Sequence, residues 1–579
     1  MHVLATAGHV DHGKSTLVRQ LTGMEPDRLA EERRRGLTVD LGFVWMELAG
    51  DMLAFVDVPG HERFVPNMLA GVGPVAAVMF VVAADEGWRA QSTEHLAALD
   101  AFGVRHGLLV VTKSDRADPG PALVEARDRI AATTLGDVGA VAVSGHTGAG
   151  LNRLRDALAG LVARLPAADP DADIRLWADR VFTVRGAGTV VTGTLGAGTL
   201  QVGAELEIGS TGDRVVVRGL QSLGVTRTEV AAVARVAINL RSVDRHAVRR
   251  GDALLKPAVW RRTTELDVRL RGDRAVDLQR ELVLHVGSTA VPCRVRPLGT
   301  DTARLSLRTA LPVRAHDTGL LRDPGAHRIP AGFEVLDPSP PTLRRRGSAR
   351  DRAHELDSGA AAAGYVRRHG AVPTDELRAL GWEPAGMLIG KWAVDEQLFA
   401  ALSGRAFDRA AEWSVQNPLA AGMPVDQLRR DLGVPAQVLV AALRGTDLGV
   451  FSGLIRRTDA TDRLPGRVER AVAEVERRLA ARPFVAPEAD ELDHLGLGTR
   501  ELAAAERAGR LLRITTTVVL APDALTRAAR VLAGLSNTFT VSEARRAFGT
   551  TRRVAVPLLE RLDAAGITRR LPDGTRSLC

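Results

Sequence analysis

Eight residues near the amino terminus, Gly8-His9-Val10-Asp11-His12-Gly13-Lys14-Ser15, carry the spacing G-x-x-x-x-G-K-S. That spacing serves polyphosphate binding. The glycines let backbone N–H groups close round the phosphates, and Lys14 reaches the outer oxygens. The Ser15 hydroxyl is a Mg²⁺ ligand, and Thr16 opens the helix whose positive end faces the anion. The strand-like HVLATAG before the loop and the helical LVRQLTG after it supply the required context. Partner residues follow in order. Asp57 ends the apolar run MLAFVDV, where its carboxylate would face the metal through water. Gly60 then offers a backbone N–H to a γ-phosphate. Thr38, in Arg35-Gly36-Leu37-Thr38, is the candidate switch ligand of Mg²⁺, and the EERRR before it reads as a solvated face. His61 is one residue past the phosphate-sensing glycine. Phosphoryl transfer to water needs an oriented nucleophile more than covalent help, and that position makes His61 the catalytic candidate.

The base-reading residues sit in VVTKSD at 110–115. Asp115 can accept from guanine N1–H and N2–H₂, which adenine does not offer, and Lys113 would lay its stem along the base. Thr112 stands where an asparagine is usual, and its shorter hydroxyl is expected to weaken the bracing of the base and the phosphate loop. Ser144 and Gly145, in VAVSGHTGAGL, supply the last loop near guanine O6. The nucleotide pair expected is GTP and GDP.

These residues need a scaffold. Residues 1–168 alternate apolar strand runs with amphipathic helical stretches, which argues for a parallel α/β sheet with crossover helices. From 174 to 340 short alternating strands with Gly turns suggest two β-barrels, divided near 260 (174–260 and 261–340). From 346 to 579 an Ala/Leu/Arg periodicity with short β-like ends suggests a helical arm of tandem winged helices, the last at about 523–579. At 579 residues several domains are expected.

Composition is that of an ordinary globular chain, 45% apolar and 25% charged, and its longest apolar run (75–84) is about half a membrane span. Nothing reads as a signal peptide, and two cysteines are too few for a disulfide framework or zinc site, so a cytoplasmic monomer that uses no membrane is expected. The net charge of +8 rests on 73 arginines against four lysines, a bias that base composition explains as well as nucleic-acid binding does. A local excess is more telling. The last 40 residues hold eight arginines and four acids. There Ala555, Leu558, Leu559 and Leu562 give the buried stripe of a helix capped by Thr550 or Thr551. Arg552 and Arg553 are expected to project from its first turn, free for phosphates, with Arg569 and Arg570 as a second pair. Pro557 conflicts with that helix unless it begins late or kinks.

Together GHVDHGKST, RGLTVDLGF, DVPGHERF, TKSD and GAGTVVTGTL resemble the translational GTPases related to elongation factor Tu. PDRLAEERRRGLTVDLGF, DVPGHERFVPNMLAGV and TKSDR resemble their selenocysteine-specific branch, where threonine is usual at position 112. The resemblance is specific over 1–260, diffuse over 261–340, and returns in FGTTRRVAVPLLERLDAAGITRR at 548–570. It implies that Val10 and Leu37 form an apolar gate beside His61, and that Asp179, Arg180 and Arg235 receive the aminoacyl group. Arginines there would favour a selenolate, which ionises more readily than a hydroxyl. A barrel-surface ion pair is the competing reading of those three residues. The resemblance further implies three partners: selenocysteyl-tRNA, the ribosome, and the mRNA selenocysteine insertion hairpin held by Arg552, Arg553, Arg569 and Arg570. The function expected is GTP-dependent delivery of selenocysteyl-tRNA at UGA codons. Three alternatives stand beside it: the GTPase subunit of sulfate adenylyltransferase, another tRNA-carrying GTPase, or a winged-helix DNA-binding regulator.

Overall fold

The computed structural model describes residues 1–26, 38, 40–61, 64–73, 75–186, 188–241, 243–459 and 463–579. The gate residue Leu37, with Arg35, Gly36 and the EERRR run, lies outside them. The chain divides into two compact units: Met1–Arg368 with Pro373–Pro384, and His369–Val372 with Ala385–Cys579.

In the first unit the apolar runs become a six-stranded sheet. Its elements are β1 (His2–Ala7), α1 (Lys14–Thr22), β2 (Gly42–Leu48), β3 (Asp51–Asp57), α2 (Val65–Val72), β4 (Ala77–Ala83), α3 (Ala90–Phe102), β5 (His106–Thr112), α4 (Gly120–Ala131), β6 (Gly139–Ala142) and α5 (Leu151–Val162). Strand order is β2-β3-β1-β4-β5-β6, with only β2 antiparallel to its neighbour. Every residue of β4 is buried, as a strand covered on both faces by helices requires. The carboxyl ends of β1, β3 and β5 therefore meet on one edge, and the loops after them carry the phosphate, metal and base motifs.

Residues 175–255 form an eight-stranded antiparallel sheet and a two-stranded ribbon. Strand Gly188–Leu195 lies between Arg180–Val184 and Ala234–Leu240, with Arg180 opposite Thr192 and Arg235 opposite Thr194. That register brings Arg180 and Arg235, 55 positions apart in sequence, to one patch. Residues 263–337 close a six-stranded antiparallel barrel. Its wall meets α3: a side chain at Gly332 would collide with the Ala101 backbone, and Arg271 donates to the Ala101 carbonyl at 3.1 Å. The helix Ser348–Asp357 is fastened to the barrel through buried charge. Arg304 and Arg352 each donate to Asp267 at 2.7 Å, and Arg352 also pairs with Asp337. All four side chains are nearly inaccessible, so each charge depends on its partners.

The second unit repeats three helices and a two-stranded wing. The pattern is completed by hairpins at Leu448–Phe451/Leu454–Arg457, Leu512–Arg513/Val519–Leu520 and Thr568–Arg570/Arg576–Leu578. This is a tandem winged-helix arm. In its last helix, Arg552–Ala564, the stripe Ala555, Leu558, Leu559 and Leu562 is fully buried. The helix does not start late: it begins at Arg552 and runs on with Pro557 inside it. Burial of that stripe offsets the missing hydrogen bond, which by itself costs ~3 kcal/mol. Thr551 holds the N-cap position but its hydroxyl caps nothing, while Thr550 donates instead to the Phe484 carbonyl.

Candidate nucleotide and aminoacyl sites

The loop between β1 and α1 adopts a backbone few residues tolerate. Gly8 (φ +130°) has no room for a Cβ against the Val81 backbone, Asp11 is left-handed at φ +63°, and Gly13 caps α1 at φ +79°. The arch is held from within and from outside. Lys14 Nζ donates to the Gly8 and His9 carbonyls at 3.0 and 2.7 Å. From α3, His95 Nδ1 accepts from the Gly8 N–H at 3.1 Å and Gln91 Oε1 accepts from the Val10 N–H at 3.2 Å. From the end of β5, the Thr112 hydroxyl donates to the His12 carbonyl at 2.7 Å. The bracing that the shorter side chain was expected to weaken is therefore made. The hydroxyl reaches because β5 brings Thr112 against the loop.

Ser15, Thr38 and Asp57 converge as predicted. Ser15 Oγ lies 2.6 Å from Asp57 Oδ2 and 2.9 Å from Thr38 Oγ1, and Thr6 orients the other Asp57 oxygen at 2.8 Å. Two hydroxyls and a carboxylate beside a phosphate loop are a hard-oxygen set that suits Mg²⁺. A side chain at Gly60 would strike Lys14 Nζ and the Val10 backbone, so glycine keeps that approach to the loop open. His61 is half-buried next to it, its ring 6.0 Å from that of Phe64. Val10, the described half of the expected gate, is half-buried beside Gly60.

A cavity of about 400 Å³ runs from the loop along α1 to the base motif, bordered by Gly13, Thr16, Thr112, Lys113, Asp115 and Gly145. Lys113, left-handed at φ +54°, is tethered by Glu86 at 2.6 Å and Asp85 at 3.3 Å, which leaves its stem along the cavity wall. Ser144 is buried and bonds the Asp115 carboxylate, holding it below the usual carboxylate range. Ser144 Oγ also accepts from the His146 and Thr147 N–H groups, which shapes the last loop.

Two buried histidines stay neutral here. Burial pushes His95 down to about 3 and His12 down to about 4, and neighbouring Lys14 and His9 charges push the same way. A neutral His95 is what an Nδ1 acceptor requires. Because His12 is neutral too, the 3.8 Å approach of its Nε2 to Glu86 is not a charge pair. Lys14, lowered to about 8 by burial in spite of Asp57 and Asp11, is poised to gain an anionic partner.

In the antiparallel sheet, Asp179 is 2% exposed and takes a bidentate pair from Arg235, with Thr192 donating at 2.8 Å. Arg180 lies alongside, with its Nε 2.9 Å from Asp40 Oδ2. The three residues thus gather as expected, though the pair Asp179–Arg235 is buried rather than a surface ion pair.

The terminal arginines divide. Arg552, Arg569 and Arg570 are exposed on the last winged helix. Arg553 is not free: it donates to the Ala486 and Pro487 carbonyls at 3.0 Å and pairs with Glu488 at 3.1 Å. Its place one residue into the helix turns it toward the preceding segment, so it joins two parts of the arm.

Gln91, His95, Thr6, Asp40, Phe43, Asp85 and Glu86 were not singled out from sequence. Gln91 and His95, one turn apart in the polar first half of α3, were the available signal.

This is the geometry of a guanine-nucleotide-binding domain, and comparisons place it. Residues 1–164 match the elongation factor Tu GTP binding domain, and residues 530–576 match the winged helix of elongation factor SelB. The selenocysteine-specific elongation factor of Desulfomicrobium baculatum is 36% identical over 362 residues, 59% of this chain and 57% of that protein. Elongation factor Tu 2 of Streptomyces avermitilis is 34% identical over 280 residues, 44% of this chain and 72% of that protein. The crystal structure of a bacterial selenocysteine-specific elongation factor, EF-Sec, superposes with a TM-score of 0.80 at 25% identity, covering all of both chains. The chain belongs to the elongation factor Tu family of translational GTPases, and within it is similar to selenocysteine-specific elongation factors. The sequence match spans just over half the length of the Desulfomicrobium relative.

Thr112→Val should leave the His12 carbonyl unpaired at a cost of about 1–2 kcal/mol. GDP affinity, measured by release of a fluorescent analogue, should weaken roughly tenfold. Acid should also act on the two histidines. Unfolded imidazoles take up protons near pH 6.5, while His12 and His95 resist until about 4 and 3. Stability therefore falls as pH drops below about 6.5, by up to ~1.4 kcal/mol per pH unit for each group. His95→Asn keeps an acceptor near the Nδ1 position without titrating, and urea unfolding at pH 7 and 5 should show a smaller loss than in the wild type.

Proposed function

We propose that this protein is a GTP-hydrolysing elongation factor that delivers selenocysteyl-tRNA to the ribosome at UGA codons followed by an mRNA hairpin. The observation that carries the reading is the gathering of Asp179, Arg180 and Arg235 beside a guanine-nucleotide site, in a chain that ends in a winged helix of the selenocysteine-specific type. The match to that winged helix argues against a sulfate adenylyltransferase subunit, and the β-sheet and barrel argue against a DNA-binding regulator.

The proposed division of labour follows the domain limits 1–168, 174–260, 261–340 and 346–579. GTP enters the cavity with its base on Asp115, Ser144 and Gly145 and its phosphates on residues 8–16. Ser15 and Thr38 would hold Mg²⁺, with Asp57 acting through water; when bound, that ion supplies charge neutralisation at the phosphates. Lys14 stabilises the outer phosphate oxygens, and Gly60 offers its N–H to the γ-phosphate. His61 orients the attacking water, with Val10 and Leu37 restraining it until the ribosome engages. Arg180 and Arg235 favour a selenolate, which balances the excess positive charge left beside Asp40 and Asp179, over a serine hydroxyl, which does not. Arg552, Arg569 and Arg570 contact hairpin phosphates, and Arg553 keeps the helix that starts at Arg552 in place. The protein acts as a cytoplasmic monomer.

His61→Ala should leave GTP binding intact and slow ribosome-stimulated hydrolysis by ~100-fold or more. Single-turnover phosphate release with programmed ribosomes measures it, and wild-type turnover in the variant would remove His61 from the chemistry.

A further inference from the structure

Arg180 belongs to the antiparallel sheet by sequence, yet the nucleotide domain aims it. Its Nε sits 2.9 Å from Asp40 Oδ2, a terminal nitrogen donates to the Leu41 carbonyl, and its guanidinium lies 5.1 Å from the centre of the Phe43 ring. Arg250 approaches the other Asp40 oxygen at 3.8 Å. Phe43 also meets Arg235, whose guanidinium lies 3.8 Å from its ring centre, so one aromatic ring contacts both arginines of the patch.

The residues that grip Arg180 begin two positions after Thr38, whose hydroxyl is 2.9 Å from Ser15 Oγ. Two residues of extended chain span at most ~7 Å. Thr38 and Asp40 therefore stay within that distance of each other, so seating Thr38 at Ser15 and Asp57 restricts where the Asp40 carboxylate can lie. The local charge count also matters. Asp40 and Asp179 face Arg180, Arg235 and Arg250, two carboxylates against three guanidiniums, so the patch keeps a net positive charge for an anion. Among the described residues, none accepts from the Nη1 group of Arg180.

We propose that Asp40 is a positioning residue that aims Arg180 when Thr38 is seated at Ser15 and Asp57, so that the arginine pair meets an anionic aminoacyl side chain only in the GTP form. The proposal rests on the selenocysteyl reading above. It places the link between nucleotide and aminoacyl group in one ion pair across the domain boundary rather than in wholesale rearrangement. By linkage, whatever GTP does for tRNA affinity through Asp40, the tRNA must do for GTP affinity.

The test compares wild type, Asp40→Asn and Asp40→Glu for binding of selenocysteyl-tRNA and seryl-tRNA, each with GDP and with a non-hydrolysable GTP analogue. Asp40→Asn should lose about tenfold in selenocysteyl-tRNA affinity with the analogue and nothing with GDP, and Asp40→Glu should recover part. Seryl-tRNA affinity should not change. The slowing of analogue release by selenocysteyl-tRNA should shrink by the same factor in Asp40→Asn. Equal losses in both nucleotide states, or for both tRNAs, would mark Asp40 as merely structural and overturn the proposal. If the wild type does not separate the two tRNAs, the selenocysteyl reading itself fails. The Asp40–Arg180 link is then decided by analogue release alone: Asp40→Asn and Arg180→Gln effects that do not add support it, and effects that add overturn it.

Discussion

A loop that arches its backbone N–H groups toward an anion cannot hold that shape by itself. The arch between β1 and α1 contains left-handed backbone at Asp11 and Gly13 and a Gly8 conformation closed to any side chain. Its N–H groups and carbonyls must find partners or stay in the strained form at a cost. Lys14 supplies two from inside the loop, and Thr112, His95 and Gln91 supply the rest from β5 and α3. The sheet order places β1 beside β4 and β4 beside β5, so these braces arrive without further adjustment. The same need explains why His95 is kept neutral by burial, since a protonated ring could not accept from Gly8.

From that braced loop the rest follows in two directions. Helix α3 holds the loop near its first turn and meets the closed barrel near its last, at Ala101 against Gly332 and Arg271. On the other side Ser15, Thr38 and Asp57 form one oxygen cluster, and the chain between Thr38 and β2 brings Asp40, with Phe43 in β2 itself, to the arginines of the neighbouring sheet. Both routes are short and both are built from side chains more than half buried, which limits how far screening by solvent weakens them.

Much of this was legible from residue type and spacing because phosphate chemistry leaves little choice. Two glycines, Lys14, Ser15, Asp57 and Asp115 are needed at particular loop ends, and the alternating strand and helix runs say where those ends fall. The stripe on the last helix was equally plain, since Leu558, Leu559 and Leu562 face one way at any helical pitch. What sequence concealed were contacts made across chain distance. Thr112 reads as a loss in VVTKSD because its partner, the His12 carbonyl, is a hundred residues away. Arg553 reads as a free phosphate ligand because the carbonyls it serves, at Ala486 and Pro487, have no side-chain signature. Asp40 and Phe43 look like the start of an ordinary strand until Arg180 and Arg235 are brought over them. Pro557 stood as a conflict because sequence gives the cost of its missing hydrogen bond but not how completely the stripe beside it is buried.

The central claim is that the arginine patch reads the charge of the aminoacyl group while GTP is bound. Equilibrium binding of the wild-type protein to one tRNA carrying either selenocysteine or serine, with GTP present, measures that directly. The account predicts at least roughly tenfold tighter binding of the selenocysteyl form, the size expected for one added contact between charged groups. Equal affinity for the two would contradict it.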